Sequence, residues 1–428
     1  MGFSLELTDE QRQLVDKTHR FASEVIRPVA AEYDRSQDFP WPVLEQAAEA
    51  GLYSPMLYAE LNQDESGLSI PLMIEELFWG CAGIGLSIVY PALALAAIAQ
   101  AATEEQLGRW GPECFGEPGK LKCGSLAVTE PQGGSDVRSN TTRARRDADS
   151  WVIDGTKMFI GNGGIGDIHV VNATVDPDLG HYAHAMFVVP KDTPGLRMVR
   201  KLDKLGCRGS HHAEIAFDDC RIPADHLLGG DEKLEEKLEH GREALASEGE
   251  ADQASGGSTR SSGSAALGAF EHTRPFVAAQ AVGVARAAFE YARDYACERV
   301  AFGSPIIEHQ GTAFPLADVA AAIDSARLLT WRAAWMAANQ VEFAQAEGSM
   351  SKLVASEVAV HATERAIQTL GGWGYIYDHP VEKWYRDAKV FSIYEGTSEI
   401  QRLLIARGIA AEKSPLPLHH DAEAHATR

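Results

Sequence analysis

Glu395 stands in the run Ile393-Tyr394-Glu395-Gly396-Thr397-Ser398-Glu399, just ahead of an apolar stretch at helical spacing. Thr397 has the side chain of a helix cap, able to accept a backbone N–H bond. Gly396 lets the chain turn where a side chain would obstruct it. On such an elbow Glu395 would point into a cavity, and burial would raise its pKa toward neutrality. It could then abstract a proton from a weak carbon acid. The plainer reading is an acid in a first helical turn that only complements the helix dipole. Glu-Gly-Thr alone favours the plainer one, so the rest of the chain has to decide.

A second stretch, Leu126-Ala-Val-Thr-Glu-Pro-Gln-Gly-Gly-Ser-Asp136, runs from strand-like residues into a turn rich in Gly, Pro and Ser. Its backbone N–H groups could cradle an anion or the polar edge of a ring system, with hydroxyls added by Thr129 and Ser135. An ordinary hairpin loop fits it equally. His211 and His212, beside Arg208, lack a third ligand for a metal and read as the flank of a strand. Lys201, Lys204 and Arg208 read as solvated surface or as partners of an anionic group. Trp331, Trp335, Trp373 and Trp384 read as packing.

The elements that must position these residues change character along the chain. Residues 8 to about 120 read as helical. Thr8 and Gln11 form a capping box, and Leu14, Val15, Thr18, Phe21, Ala22, Val25 and Ile26 follow at three-and-four spacing. Phe39-Pro-Trp-Pro42 breaks the pattern, and helix resumes over Val43 to Ala50. Tyr58 to Ile70 reads as loop. Leu72 to Gln100 is apolar all round and reads as one core helix. Thr103-Glu-Glu-Gln106 opens another by the same capping chemistry. From about Leu121 the period falls to two. Strands are expected at 124–129, 169–175, 184–189 and 213–217, with two more around an Asp154-Gly155 hairpin turn. Residues 231–264 are an acidic, then Ser/Gly-rich, insertion whose second half lacks anything to bury. From Leu267 the pattern is helical again, with Thr273-Arg-Pro275 as a helix start and further helices near 312–345 and 351–371.

These boundaries give an α+β chain. An N-terminal α-helical domain (1–120) precedes a middle antiparallel β domain (121–230), the insertion (231–264), a C-terminal helical bundle (265–412) and a tail (413–428). Pockets favour such domain junctions. The formal net charge of −22 over 428 residues argues against a nucleic-acid partner. No secretory signal is read at the start, and no apolar run is read as long enough to span a membrane. Six cysteines without a CxxC pair fit buried thiols in a reducing cytoplasm.

Several spaced motifs in one order are more specific than any alone. Ala127-Val-Thr-Glu-Pro-x-Gly-Gly-Ser-Asp136, Glu298-Arg299…Phe302-Gly303…His309-Gln310, Gln368-Thr-Leu-Gly-Gly-x-Gly-Tyr375, Arg386-Asp-Ala-Lys389 and Ile393 to Arg402 resemble the signatures of the acyl-CoA dehydrogenase family. The resemblance covers about residues 5 to 412 and implies that family's α-domain, β-domain and four-helix-bundle fold. It implies FAD, an acyl-CoA substrate, an electron-transferring flavoprotein as acceptor, and a homotetramer built as a dimer of dimers. Glu395 would be the base. Leu126, Val128, Thr129, Gly134 and Ser135 would line the flavin, and Phe159, Ile160 and Gly161 would flank its ring. Arg299, Phe302, Gln310, Gln368, Gly371 and Gly372 would hold the ADP half, with Thr397 and Glu399 on the phosphate and adenosine side. Ser135, Glu271, Thr273, Arg274, Tyr394, Gly396 and Arg407 would line the acyl-CoA channel, whose floor would include Ile88 to Leu95.

Two departures stand out. Family members commonly carry Trp-Ile-Thr or Trp-Ile-Ser where this chain has Phe159-Ile-Gly161, so the hydroxyl that bonds near flavin N5 is missing. One branch of the family takes its base from the channel helix. The matching residue here is Thr273, which cannot serve, although Glu271 is a nearby carboxylate, and the base is assigned to Glu395. A flavin oxidase or monooxygenase on the same scaffold is the alternative that Gly161 keeps open. A DNA-binding stress protein of the kind the family also contains is opposed by the charge.

Overall fold

The computed structural model describes residues 4–255 and 265–411, and side chains other than those of 247–272 and 411. The Ser/Gly-rich end of the insertion, the tail and the Glu271 side chain lie outside the described residues.

Helix α1 (Asp9–Phe21) starts on the expected capping box: Gln11 N donates to the Thr8 hydroxyl and the Gln11 side chain accepts from Thr8 N. Helix α2 (Ala30–Ser36) ends at Gln37 in the left-handed region, φ 60°. Helix α3 (Trp41–Glu49) begins two residues before the expected point, because Pro42 is tolerated in a first turn. Helix α4 (Pro55–Leu61) occupies part of the expected loop, capped by Ser54. The single core helix expected over 72–100 is two, α5 (Ser69–Gly80) and α6 (Ala82–Ala101), divided at Cys81, whose backbone is extended. By length and composition α6 does reach what a membrane crossing needs, contrary to expectation. Its most apolar window is 61% buried inside the protein, so it serves as a core helix. Helix α7 (Glu104–Trp110) starts on the Thr103–Gln106 capping box.

A two-stranded hairpin, β1 (Gly116–Glu117) and β2 (Lys120–Leu121), leads into the main sheet. Its strands are β3 (Gly124–Ala127), β4 (Arg143–Asp147), β5 (Ser150–Gly161), β6 (Ile168–Thr174), β7 (His184–Pro190), β8 (Leu196–Lys201) and β9 (His212–Pro223). They lie in the order β3-β6-β4-β5-β9-β8, with β7 also on β6. Most pairings are antiparallel, and the exceptions are β6 with β3 and with β4. The hairpin expected at Asp154-Gly155 is instead a bulge in the single long strand β5. Gly155 is needed there because a Cβ would lie 2.5 Å from the Thr142 hydroxyl, and Asp154 accepts across the bulge from Asp219 N at 2.7 Å.

The acidic half of the insertion forms helix α8 (Gly230–Ser255). Helix α9 (Ala265–Glu298) does not start at Thr273; it runs through that point with Pro275 inside. After a short hairpin, β10 (Val300–Ala301) and β11 (Ser304–Pro305), come α10 (Gln310–Ala338), α11 (Glu347–Leu370), α12 (Val381–Ala388) and α13 (Ser398–Ala411). Helix α9 packs on α5, α10 and α11, α11 packs on α13, and α6 packs on β3. Buried carboxylates clamp α5 to this bundle. Arg286 and Arg327 each reach Glu75 at 2.8 Å, and Arg286 also meets Glu76 at 2.7 Å. Removing one partner of such a set would leave an uncompensated buried charge.

Candidate active site

The elbow is present. Glu395 has φ 51° and Gly396 has φ 89°, two left-handed residues in succession. Thr397 caps α13, its hydroxyl accepting from Ile400 N at 3.3 Å. Two buried side chains pin the elbow from behind. Lys352 Nζ donates to the Gly396 carbonyl at 2.6 Å. Gln401 Nε2 donates to the carbonyls of Glu395 at 3.1 Å and Gly396 at 2.9 Å. The φ of 89° favours glycine at 396, and a Cβ there would also push against that amide nitrogen at 2.6 Å.

Glu395 is part-exposed as a residue, and burial of its carboxyl pushes that group above the ordinary range. Lys352 and then Arg274 oppose the shift, and burial wins. Both cations are buried. Burial draws Lys352 down to about 8 and Arg274 down to about 10, each against the attraction of Glu395. Arg274 Nη1 donates to Ser349 Oγ at 2.8 Å. Tyr394 donates its hydroxyl to the Gln280 side chain. Thr273, half-buried on α9, immediately precedes Arg274. Arg407 lies exposed on α13. The exposed Glu399 folds back on its own N–H and on the Thr397 hydroxyl, which holds its carboxyl low and makes it part of the helix cap.

The strand-turn faces a different task. Leu126 sits in β3 opposite Val170. The Val128 carbonyl accepts from Asn140 Nδ2 and from Lys157 Nζ, both at 2.9 Å, and the Thr129 carbonyl accepts from Met158 N at 2.8 Å. The turn closes on itself, with Glu130 N donating to the Gly133 carbonyl at 3.2 Å and Gly133 N to that of Glu130 at 3.1 Å. Glu130 anchors it from inside, accepting from Lys157 at 2.8 Å, Thr141 N at 2.6 Å and Thr142 N at 2.9 Å. Burial alone would raise its carboxyl; Lys157 and the N–H donors hold it at about 2. Gly134 and Ser135 are exposed at the tip. Phe159, also left-handed at φ 62°, leaves its ring 64% exposed, while Ile160 beside it is buried. An uncovered aromatic ring beside an exposed Gly/Ser loop tip fits a flat ring system such as that of FAD.

Gly161 is filled from outside. A Cβ there would lie 2.6 Å from the Tyr90 ring. The Tyr90 hydroxyl is 2.5 Å from His212 Nε2, and His212 Nδ1 is 2.9 Å from Lys204 Nζ. Lys204 is therefore not solvated surface: Cys207 O at 2.7 Å, Ser210 O at 2.8 Å and Ser210 Oγ at 2.7 Å also lie within hydrogen-bond reach of its three N–H donors. Of its sequence neighbours, Arg208 is turned onto the Asp34 carbonyl at 3.0 Å and Lys201 onto that of Gln37.

A separate groove of about 550 Å³ is lined by Arg299, Gly371 and Gly372 together with Tyr295, Ile306 and Trp373. A Cβ on either glycine would meet nothing within 4 Å. Gln368, Gln310 and Phe302 do not line it, and neither does Glu395. Phe302, at the β10–β11 turn, is 98% exposed.

Sequence reasoning gave no role to Lys352, Gln401 or the Glu130–Lys157 pair, named Tyr90 only as part of the pocket floor, and read His212 as the flank of a strand and Lys204 as solvated surface or the partner of an anionic group. Tyr90 is the sole aromatic residue of the run Ala82–Ala101, and that oddity was the available signal.

Comparison with known proteins places the site in a family context. Family models described as the N-terminal, middle and C-terminal domains of acyl-CoA dehydrogenase match residues 8–116, 125–220 and 262–410. The short-chain specific acyl-CoA dehydrogenase, mitochondrial, of Bos taurus is 38% identical over 406 residues, covering 94% of this chain and 90% of that protein. The butyryl-CoA dehydrogenase of Megasphaera elsdenii is similar in structure (TM-score 0.81, 30% identity, 95% of this chain and 100% of that chain). So is a chain solved in work on the electron transferring flavoprotein of Acidaminococcus fermentans (TM-score 0.80, 29% identity, 96% and 100% covered).

Proposed function

The chain belongs to the acyl-CoA dehydrogenase family of FAD-dependent oxidoreductases, and we propose that it oxidises a short aliphatic acyl-CoA to the trans-2-enoyl-CoA with Glu395 as the base. The observation that carries this reading is the raised carboxyl of Glu395 on a pinned left-handed elbow. A thioester α C–H is a weak acid, and a carboxylate takes its proton best when its own affinity for protons is raised. Lys352 and then Arg274 oppose that rise. Proton transfer moves one proton from the α carbon to a Glu395 oxygen, while the electron pair stays with the substrate. FAD, when bound, accepts the hydride that leaves the β carbon.

The residues proposed to hold FAD are the loop from Leu126 to Ser135, with Phe159 and Ile160 along the ring. The groove at Arg299, Gly371 and Gly372 is proposed for the ADP half, completed by Phe302, Gln310 and Gln368 in a dimer of dimers. Nearly complete exposure of Phe302 supports an interface there. A short acyl chain is supported by the names of the similar proteins and by the ring of Tyr90 on the helix proposed as pocket floor. An electron-transferring flavoprotein is proposed as acceptor, in the cytoplasm.

Anaerobic titration of the purified yellow protein with acyl-CoA thioesters of increasing length tests the reading. Bleaching by butyryl-CoA is expected. Glu395→Gln should keep the yellow colour and slow bleaching by roughly 10²–10⁴-fold, the usual contribution of a general base. Full-rate bleaching by that variant removes Glu395 as the base. A second reading, an oxidase, is favoured by the absent side chain at Gly161; rapid reoxidation of the bleached enzyme by air would select it.

A further inference from the structure

The hydrogen-bonded chain Tyr90, His212 and Lys204 joins helix α6 to β9 and the loop before it, and its polar groups have no place in the reaction as proposed so far. Its hydrogen atoms can be assigned. Lys204 Nζ is surrounded by three oxygen acceptors besides the imidazole, an environment that suits an ammonium. Burial lowers this ammonium to about 8, which leaves it charged at neutral pH. An ammonium has three donors to share among these four partners and no lone pair, so His212 Nδ1 at 2.9 Å faces it unprotonated. Burial, reinforced by Lys204, also keeps the imidazole neutral, and its one proton therefore sits on Nε2. That N–H donates to the Tyr90 oxygen. The Tyr90 hydroxyl is thereby forced to point its own hydrogen elsewhere, and no acceptor for it is present among the described residues. Accepting one bond also makes it a stronger donor in the next.

Its surroundings say where that hydrogen goes. The ring lies in the space where any side chain on residue 161 would stand, and the phenol lies within the field of Glu395. We infer that Tyr90 is a hydrogen-bond donor to the flavin edge at Gly161, aimed by His212 and Lys204, with the missing side chain at 161 as the room made for its ring. This rests on the reading that FAD lies along Phe159 to Gly161. It makes Tyr90 a cofactor-contacting residue, with His212 and Lys204 as positioning residues that fix a tautomer.

The test uses holoenzyme without substrate, so that turnover plays no part. Tyr90→Phe keeps the ring and removes the donor. The visible flavin bands should move, and the two-electron midpoint potential should fall as an electron-withdrawing bond is lost. Incorporation of 3-fluorotyrosine at position 90 strengthens the donor and should move both readouts the opposite way; this arm decides if Tyr90→Phe does not fold. Gly161→Ser should impair FAD retention in the wild-type background and be tolerated with Tyr90→Ala. Unchanged bands and potential in a yellow Tyr90→Phe or fluorinated enzyme overturn the inference. A wild-type protein that carries no FAD, or is not bleached by any thioester, would instead show that the proposed function is wrong.

Discussion

Lys352 donates to the carbonyl of Gly396 at 2.6 Å while its charge lies in the field of Glu395. One ammonium therefore sets both the shape of the elbow and the proton affinity of the acid on it. Lys352 lowers the Glu395 carboxyl, so Lys352→Met should raise it further. The base must be ionised to act. The acid limb of the kcat/KM profile should therefore move to higher pH in this variant and stay near the wild-type position in Lys352→Arg. A limb that does not move in Lys352→Met would detach the pH dependence from this pair.

Gly396→Ala strains a residue at φ 89° and crowds Gln401. A left-handed non-glycine residue costs about 1–3 kcal/mol. Denaturant melts should show a loss of that size, and kcat should fall by a larger factor than the stability change explains, because the acid itself is displaced. A variant with full kcat would show that the elbow tolerates a side chain.

Glu130 and Lys157 meet at 2.8 Å with both side chains almost wholly buried. Glu130→Gln leaves the ammonium without a countercharge and should cost about 3–5 kcal/mol, read from chemical denaturation. The double variant Glu130→Gln with Lys157→Met should recover much of it. FAD retention should weaken in the single variant, since Lys157 also ties down the Val128 carbonyl.

The same carboxylate gives a pH signature. Its folded value of about 2 lies below the ordinary 4.5, so its contribution to stability is full above about pH 4.5 and is lost as the pH falls through about 2. Glu130→Gln should flatten that part of the acid-unfolding curve. An unaltered curve would show that the carboxylate titrates normally.

Phe302 at the hairpin tip offers an aromatic face with almost nothing against it. Phe302→Asp should shift the assembled protein toward smaller species in light scattering and weaken FAD retention together. A variant that keeps both the wild-type mass and its flavin would remove this hairpin from the interface.

What was legible beforehand was local. The caps at Thr8, Thr103 and Thr397, and the turn at Gly396, each depend on residues within a few positions, and all three caps form as read. The alternation that marked the sheet also survived. Reading failed where one residue had two permissible uses. Gly155 suited a turn but serves a bulge against Thr142, and Pro275 suited a helix start but lies inside α9. The partners of the site were harder still. Tyr90 and His212 are 122 positions apart, and Lys352 and Gly396 are 44 apart. No spacing rule links such pairs; only the packing of α6 on the sheet and of α11 on α13 brings them together.

The contact between the ring of Tyr90 and the bare backbone of Gly161 also constrains how such a chain can diverge. Neither position can drift alone. A lineage that regained serine or threonine at 161 would first have to shrink residue 90, and one that lost the ring at 90 would leave a hole that a hydroxyl-bearing residue at 161 is the right size to occupy. The two sites should therefore change as a couple across descendants, tyrosine with glycine or a small residue with a hydroxyl.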